Sequence, residues 1–165
     1  MEKRLWVKII LFALCLTLLC SCQAKSPIDI LSSRFNCEIC WSFEGNEFRA
    51  HLSAGSRTEG QRDFIMLFNC PEELSGVSAK RISGNSGLYL GEKRLSDAPA
   101  SYLYIADSLL NVVSLDYLCR AEINGDKALC YTSNGSQWYF SAKSKLPIKI
   151  ESENISIDIV WIEAS

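Results

Sequence analysis

Residues 35–54 read FNCEICWSFEGNEFRAHLSA. Apolar side chains take alternate positions, with Phe35, Cys37, Ile39, Trp41 and Phe43 before the glycine and Phe48, Ala50, Leu52 and Ala54 after it. Successive side chains of a strand point to opposite faces, so this period of two predicts two strands with one buried face each. If Gly45-Asn46 is a two-residue turn, facing positions sum to 91. Phe43 then meets Phe48, Trp41 meets Ala50, Ile39 meets Leu52 and Cys37 meets Ala54, while Ser42 meets Arg49 and Cys40 meets His51 on the polar face. A one-residue slip would invert the pattern, so the register is closely specified.

The same logic extends through the rest of the chain. Ser53 to Gln61 is a polar, glycine-bearing loop, and Arg62 to Asn69 (RDFIMLFN) is apolar at nearly every position, which predicts a central strand buried on both faces. Pro71 offers no amide hydrogen to a ladder, so Cys70 to Gly76 breaks the sheet before Val77 to Ile82 and Leu88 to Leu90 resume extended runs. Ser96 to Ala100 is loop-like. Ile105 to Leu118 (IADSLLNVVSLDYL) repeats apolar residues at spacings of three and four, the helical period, with its end left open because Leu115, Tyr117 and Cys119 could equally begin a strand. Two Asn-Gly pairs, Asn124-Gly125 and Asn134-Gly135, mark hairpins. Strands follow at Gln137 to Phe140, Pro147 to Glu151 and Asn154 to Glu163, the last with Ile155, Ile157, Ile159 and Trp161 on one face. The expected architecture is mainly β (α+β): a large curved antiparallel sheet with few helices.

The N-terminus has a different character. Lys3, Arg4 and Lys8 precede a twelve-residue apolar run, Ile9 to Cys20. As a helix that run is about 18 Å long, too short for a hydrocarbon core of roughly 30 Å. Leu19-Cys20-Ser21-Cys22 resembles the lipobox of bacterial lipoproteins, which implies cleavage after Ser21 and a diacylglycerol thioether on Cys22. An uncleaved anchor or an ordinary secretory signal are the alternatives. Residues 1–21 are read as the signal peptide, 22–34 as a lipidated tether, and 35–165 as a single domain, its lipid carrying it to the extracytoplasmic face of the cell membrane. No cofactor is expected beyond that covalent lipid.

The 165-residue chain has 17 basic and 19 acidic side chains; without the leader, 144 residues remain with 14 basic and 18 acidic, a net charge of −4. No run of either sign occurs, so nucleic acid is not an expected partner.

The strand Phe64 to Asn69 running into Pro71-Glu72-Glu73-Leu74-Ser75-Gly76-Val77, a helix near Asp107 to Ser114, the Asn-Gly hairpins, and the ending Leu146 to Ile150 then Ile155 to Trp161 together resemble the superfamily of lipoprotein carriers and receptors of the LolA and LolB type. The resemblance extends over 35–163 and implies an incomplete antiparallel barrel closed over one or a few helices. Membrane-anchored members occur in clostridial and related Gram-positive bacteria, among them the spore-germination lipoprotein GerS, which this chain resembles in layout. An unclosed barrel leaves an apolar concavity, and its candidate wall residues are Trp41, Phe43, Phe48, Leu52, Trp138, Phe140, Ile157, Ile159 and Trp161. The same residues could simply fill the core, since aromatic stripes often do.

Outside the leader, Cys37, Cys40, Cys70, Cys119 and Cys130 accompany the lipidated cysteine. Around the Asn124-Gly125 turn facing positions sum to 249, which sets Cys119 opposite Cys130 as the candidate disulfide, with two reduced thiols as the alternative. Cys37 and Cys40 have the spacing of a redox or zinc motif, but residues three apart on a strand point to opposite faces, and a second ligand pair is missing. Cys40 across from His51 would suggest a thiol beside an imidazole, yet no orienting acid or oxyanion donor accompanies them. No phosphate loop, serine elbow or paired-carboxylate signature is present, so neither catalysis nor a metal is expected.

The sequence therefore predicts a non-catalytic, membrane-anchored binder of a lipid or other hydrophobic ligand. The alternative is an interaction or regulatory lipoprotein with a packed barrel that docks an envelope or spore-cortex enzyme, the reading the GerS resemblance implies.

Overall fold

The computed structural model describes residues 31–58, 61–112 and 114–164. The expected signal segment, the lipobox-like stretch and Cys22 lie outside them. Eleven strands form one antiparallel sheet: β1 (Phe35–Phe43), β2 (Asn46–Thr58), β3 (Gln61–Cys70), β4 (Val77–Ile82), β5 (Asn85–Leu90), β6 (Lys93–Ser96), β7 (Asp116–Ile123), β8 (Asp126–Ser133), β9 (Ser136–Ser141), β10 (Pro147–Ser152) and β11 (Ile155–Ala164). A short 3₁₀ turn covers Glu72–Leu74, and the helix α1 spans Ala100–Leu110.

Strand order explains the shape. The sheet runs β6-β5-β4-β3-β2-β1-β11-β10-β9-β8-β7, so every pair is a chain neighbour except β1 with β11. That pairing joins the two ends of the chain in the middle of the sheet and leaves β6 and β7 as free edges. The link between those edges is α1. Inward side chains of β1 to β4 and of β9 to β11 share one core with Ile105, Ala106, Leu109 and Leu110 of the helix. The sheet therefore curves round α1 without closing into a barrel.

Four hairpins turn on two residues of positive φ: Glu44-Gly45, Ser83-Gly84, Asn124-Gly125 and Asn134-Gly135. This is the turn whose twist matches that of the flanking strands. The first corrects the expected register, because the turn is Glu44-Gly45 and not Gly45-Asn46. Phe43 pairs with Asn46, Trp41 with Phe48, Ile39 with Ala50, Cys37 with Leu52 and Phe35 with Ala54. The slip is two residues, so both faces keep their character.

Three further expectations are corrected. The helix begins five residues earlier than Ile105 and ends at Leu110, where the Asn111 amide donates to the Asp107 carbonyl at 3.0 Å. Pro99 fixes its start, with the Pro99 carbonyl accepting from the Tyr102 and Leu103 amides at 3.1 and 3.2 Å. Strand β3 is not covered on both faces: Phe64, Met66 and Phe68 are buried against the concave side where α1 lies, but Ile65 and Leu67 are exposed on the convex side. In β11 a bulge between the pairs Glu38–Trp161 and Ile39–Ile159 inserts Val160. The extra residue turns Trp161 to the convex face, where its Nε1 donates to Glu38 at 3.0 Å and its ring lies 5.3 Å from that of His51.

Two buried arginines fasten the concave layer. Arg62 donates through Nε to the Gly55 carbonyl at 2.9 Å and through Nη1 to the Leu31 carbonyl, with its guanidinium over the Phe35 ring. This brings Leu31, within the expected tether, into the core. Arg81 lies over Phe64, donates to the Arg62 carbonyl at 3.0 Å, and reaches Asp107 on α1 at 2.7 Å.

Candidate functional site

The concave side is solid through most of its length. Leu52, Phe140 and Ile157 are fully buried, and Trp138 and Ile159 nearly so. Among the expected cavity walls these five pack into the core, and Trp161 stands on the opposite face as a correction.

Space remains at the end of the sheet that carries the β1–β2, β8–β9 and β10–β11 turns. A cavity of about 300 Å³ opens there between the first turn of α1 and the sheet. Trp41, Phe43 and Phe48, three of the candidate wall residues, line it together with Tyr102, Ile105 and Ile155. Its wall is an aromatic stack: Trp41 lies parallel to Phe48 at 5.2 Å, Phe68 meets Trp41 at 6.2 Å, and Tyr102 sits 4.8 Å from Phe68 and 6.5 Å from Phe48. Burial raises the Tyr102 hydroxyl pKa. Phe43, at 48 % exposure, forms a lip. The cleft holds little that could orient a polar reactant, and its volume is at the lower end of ligand sites, ~300–1,000 Å³. Tyr102 was missing from the expected walls because the helix begins before the stretch read as helical, while Ile105 and Ile155 had been placed on the apolar faces of their elements but not among the walls.

Beyond Tyr104 lies a second, polar recess of about 180 Å³, bounded by Asp107, Ser108, Asn111, Ser133, Asn134 and Ser136. Tyr104 lines both spaces, and its hydroxyl is 3.1 Å from that of Ser152.

The cysteines separate as the strand geometry requires. Cys37 faces the core, where burial pushes its thiol pKa to about 12, and Cys40 faces outward. Cys40 pairs with Arg49 in the ladder, so the expected partnership with His51 is replaced; His51 pairs with Glu38. Cys119 stands opposite Cys130 as expected. Both thiols are free, Cys119 exposed on the edge strand and Cys130 buried with its Sγ donating weakly to the Tyr131 carbonyl at 3.9 Å; burial first and the facing Cys119 next raise the Cys130 pKa. Cys70 donates weakly to the Glu47 carbonyl at 3.5 Å. Among the described residues no group of three or more His, Cys, Asp or Glu side chains is placed to hold a metal, and no helix is long and apolar enough to cross a membrane.

The architecture and cleft define a mostly β protein with an unclosed, curved antiparallel sheet over one helix. Known proteins of similar shape include MucB, at 14 % identity over 88 % of this chain and a TM-score of 0.47; this chain spans 60 % of MucB's length. A putative outer membrane lipoprotein-sorting protein domain from Vibrio parahaemolyticus is similar at 11 % identity, covering 82 % of this chain and 86 % of that one, TM-score 0.40. LprF from Mycobacterium bovis is similar at 9 % identity over 85 % and 88 % of the two chains, TM-score 0.31. No protein-family profile matches the sequence, and no curated protein matches it.

Proposed function

We propose that this protein is an exported lipoprotein, held at the extracytoplasmic membrane face by a lipid on Cys22, which binds an acyl chain or similar apolar ligand without catalysis. The carrying observation is the aromatic cleft bounded by Trp41, Phe43 and Phe48, left open where the rest of the concavity is filled. A solvent-accessible apolar space of this kind gains from burying a hydrocarbon chain at about 25 cal/mol per Å² of apolar surface removed from water.

Trp41 makes the reading testable. A fatty acid brominated on its chain quenches indole fluorescence only at contact. The lipidated protein in amphipol should therefore be quenched saturably, and Trp41→Phe should remove the saturable part, since Trp6 leaves with the signal peptide, Trp138 is buried beside the polar recess and Trp161 is on the far side of the sheet. Quenching that persists in Trp41→Phe, or none at all, would remove the cleft as a chain site.

The regulatory alternative draws on a different observation. A convex row runs from Trp161 past Glu38 and His51 to Leu67, with Ile65 beside it, and its apolar members are exposed. If that row docks an envelope enzyme, Leu67→Ser should abolish the association while leaving Trp41 quenching intact.

A further inference from the structure

The polar recess beyond Tyr104 contains an unusual group. Ser133 is only 7 % exposed, and among the described residues its Oγ has no hydrogen-bond partner. Most buried hydroxyls are paired, and an unpaired one costs stability, so a partner arriving with a ligand would recover that loss. Its neighbours limit what the partner can be. Among the described residues, Asp107 is the only acidic or basic one on the wall, and its charge is already met by Arg81 at 2.7 Å and by Asn111 Nδ2 at 3.1 Å. Among the described residues, no cation therefore faces the recess to receive a phosphate, and no unmatched carboxylate waits for an ammonium. What remains are hydroxyls and amides: Ser133, Ser136, Ser108 and the Asn134 side chain, the last held by its Nδ2 on the Asn111 carbonyl at 3.2 Å. This set exchanges hydrogen bonds with uncharged hydroxyl groups.

The recess and the apolar cleft lie on either side of Tyr104, and that ring is 48 % exposed and tied, among the described residues, by the Ser152 hydroxyl. We infer that the two spaces form one amphiphile site, in which the recess holds an uncharged, hydroxyl-bearing head group while the cleft holds its chain, with Tyr104 lying between head and tail. This rests on the cleft being a chain site, and it adds the class of ligand.

The test compares three probes carrying the same brominated chain: a monoacylglycerol, the methyl ester of the fatty acid, and a lysophosphatidate. Occupancy is read by quenching of Trp41 in the lipidated protein in amphipol. The monoacylglycerol should bind about fivefold more tightly than the methyl ester, the factor for one hydrogen bond gained, and the lysophosphatidate weakest of the three. Ser133→Ala should bring the monoacylglycerol to the level of the ester and leave the ester unchanged, with a melting temperature equal to or above wild type because an unpaired hydroxyl is removed. Ser101→Phe, from an exposed position on the cleft wall, should weaken all three probes alike. Equal affinity for monoacylglycerol and ester, tightest binding of the lysophosphatidate, or an equal loss of both neutral probes in Ser133→Ala would overturn the head-group site while leaving the cleft intact. Absence of quenching by every probe would overturn the cleft itself, and the head-group site with it.

Discussion

Replacing Asp107 with alanine should cost about 3 kcal/mol of folding stability. The Arg81 side chain it leaves behind is 7 % exposed, and the lost contact is a 2.7 Å charge-assisted hydrogen bond. Removing one partner of a buried ion pair typically costs about 3–5 kcal/mol, and a hydrogen bond to a charged group contributes roughly 1.5–3 kcal/mol. The Asp107 side chain is 33 % exposed, which lets water reach the vacated place and puts the figure at the lower end. For a domain of this size the midpoint of thermal unfolding should fall by roughly 6–12 °C. Asp107→Asn keeps an acceptor for Arg81 and should lose only about 1 kcal/mol, the cost of exchanging a charged acceptor for a neutral one. Urea unfolding followed by circular dichroism measures both, with an unchanged slope signalling that the native state stays compact. Because α1 supplies Tyr102 and Ile105 to the cleft, Asp107→Ala should also weaken chain binding. A loss within about 0.5 kcal/mol of wild type, the range of ordinary surface substitutions, would refute the claim that this pair fastens the helix to the sheet.

Three other outcomes follow from the same structure. Under reducing conditions Cys119 should alkylate before Cys130, and Cys37 only on unfolding; mild oxidation should bridge Cys119 to Cys130 and add about 3 kcal/mol by the loop-entropy estimate, whereas a Cys119-linked dimer as the main product would contradict the pairing. The Glu151 carboxyl is held below its ordinary pKa by its hydrogen bond with Lys149 and then by that from Tyr139, so its stabilising contribution is complete above pH 4.5 and fades as the pH falls through the lowered value. Glu151→Gln should accordingly flatten the acid limb of the stability profile below pH 4.5, and a limb as steep as wild type would count against the contact. Trp138→Ala should destabilise by about 4 kcal/mol and Trp161→Ala by about 1 kcal/mol, since the first is buried and the second lies on the convex face; equal losses in denaturant titration would deny the bulge that separates them.

Which parts of this fold could be read in the chain depends on how locally each is determined. The Asn-Gly turns announce themselves because both residues tolerate positive φ, and the register they set brought Cys119 to Cys130. Glu44-Gly45 has the same backbone, but glutamate gives no such signal, so the turn was displaced by one residue and the pairing by two. The faces survived because a shift of two preserves the strand period. Nothing in ISIDIVWIE marks Val160 as an inserted residue, and the bulge there moved Trp161 to the wrong side of any pattern argument. Arg62 and Arg81 sit at the borders of apolar runs and look like solvent-facing ends, yet they lie buried and hold Leu31 and α1. Three of the cleft's aromatic walls were legible from the hairpin; Tyr102 opposite them depended on where the helix begins. The polar recess left no trace in sequence, since serines and asparagines at turns are common and only tertiary placement leaves one of them buried and unpaired.

The most direct measurement is native mass spectrometry of the full chain purified from cells that express it, compared with the same sample denatured. The account predicts a native species heavier by one amphiphile, lost on denaturation and much reduced in Ser101→Phe. A native mass equal to the denatured mass, in a chain whose Trp41 brominated probes also fail to quench, would contradict the claim that this half-open sheet is built around a bound chain.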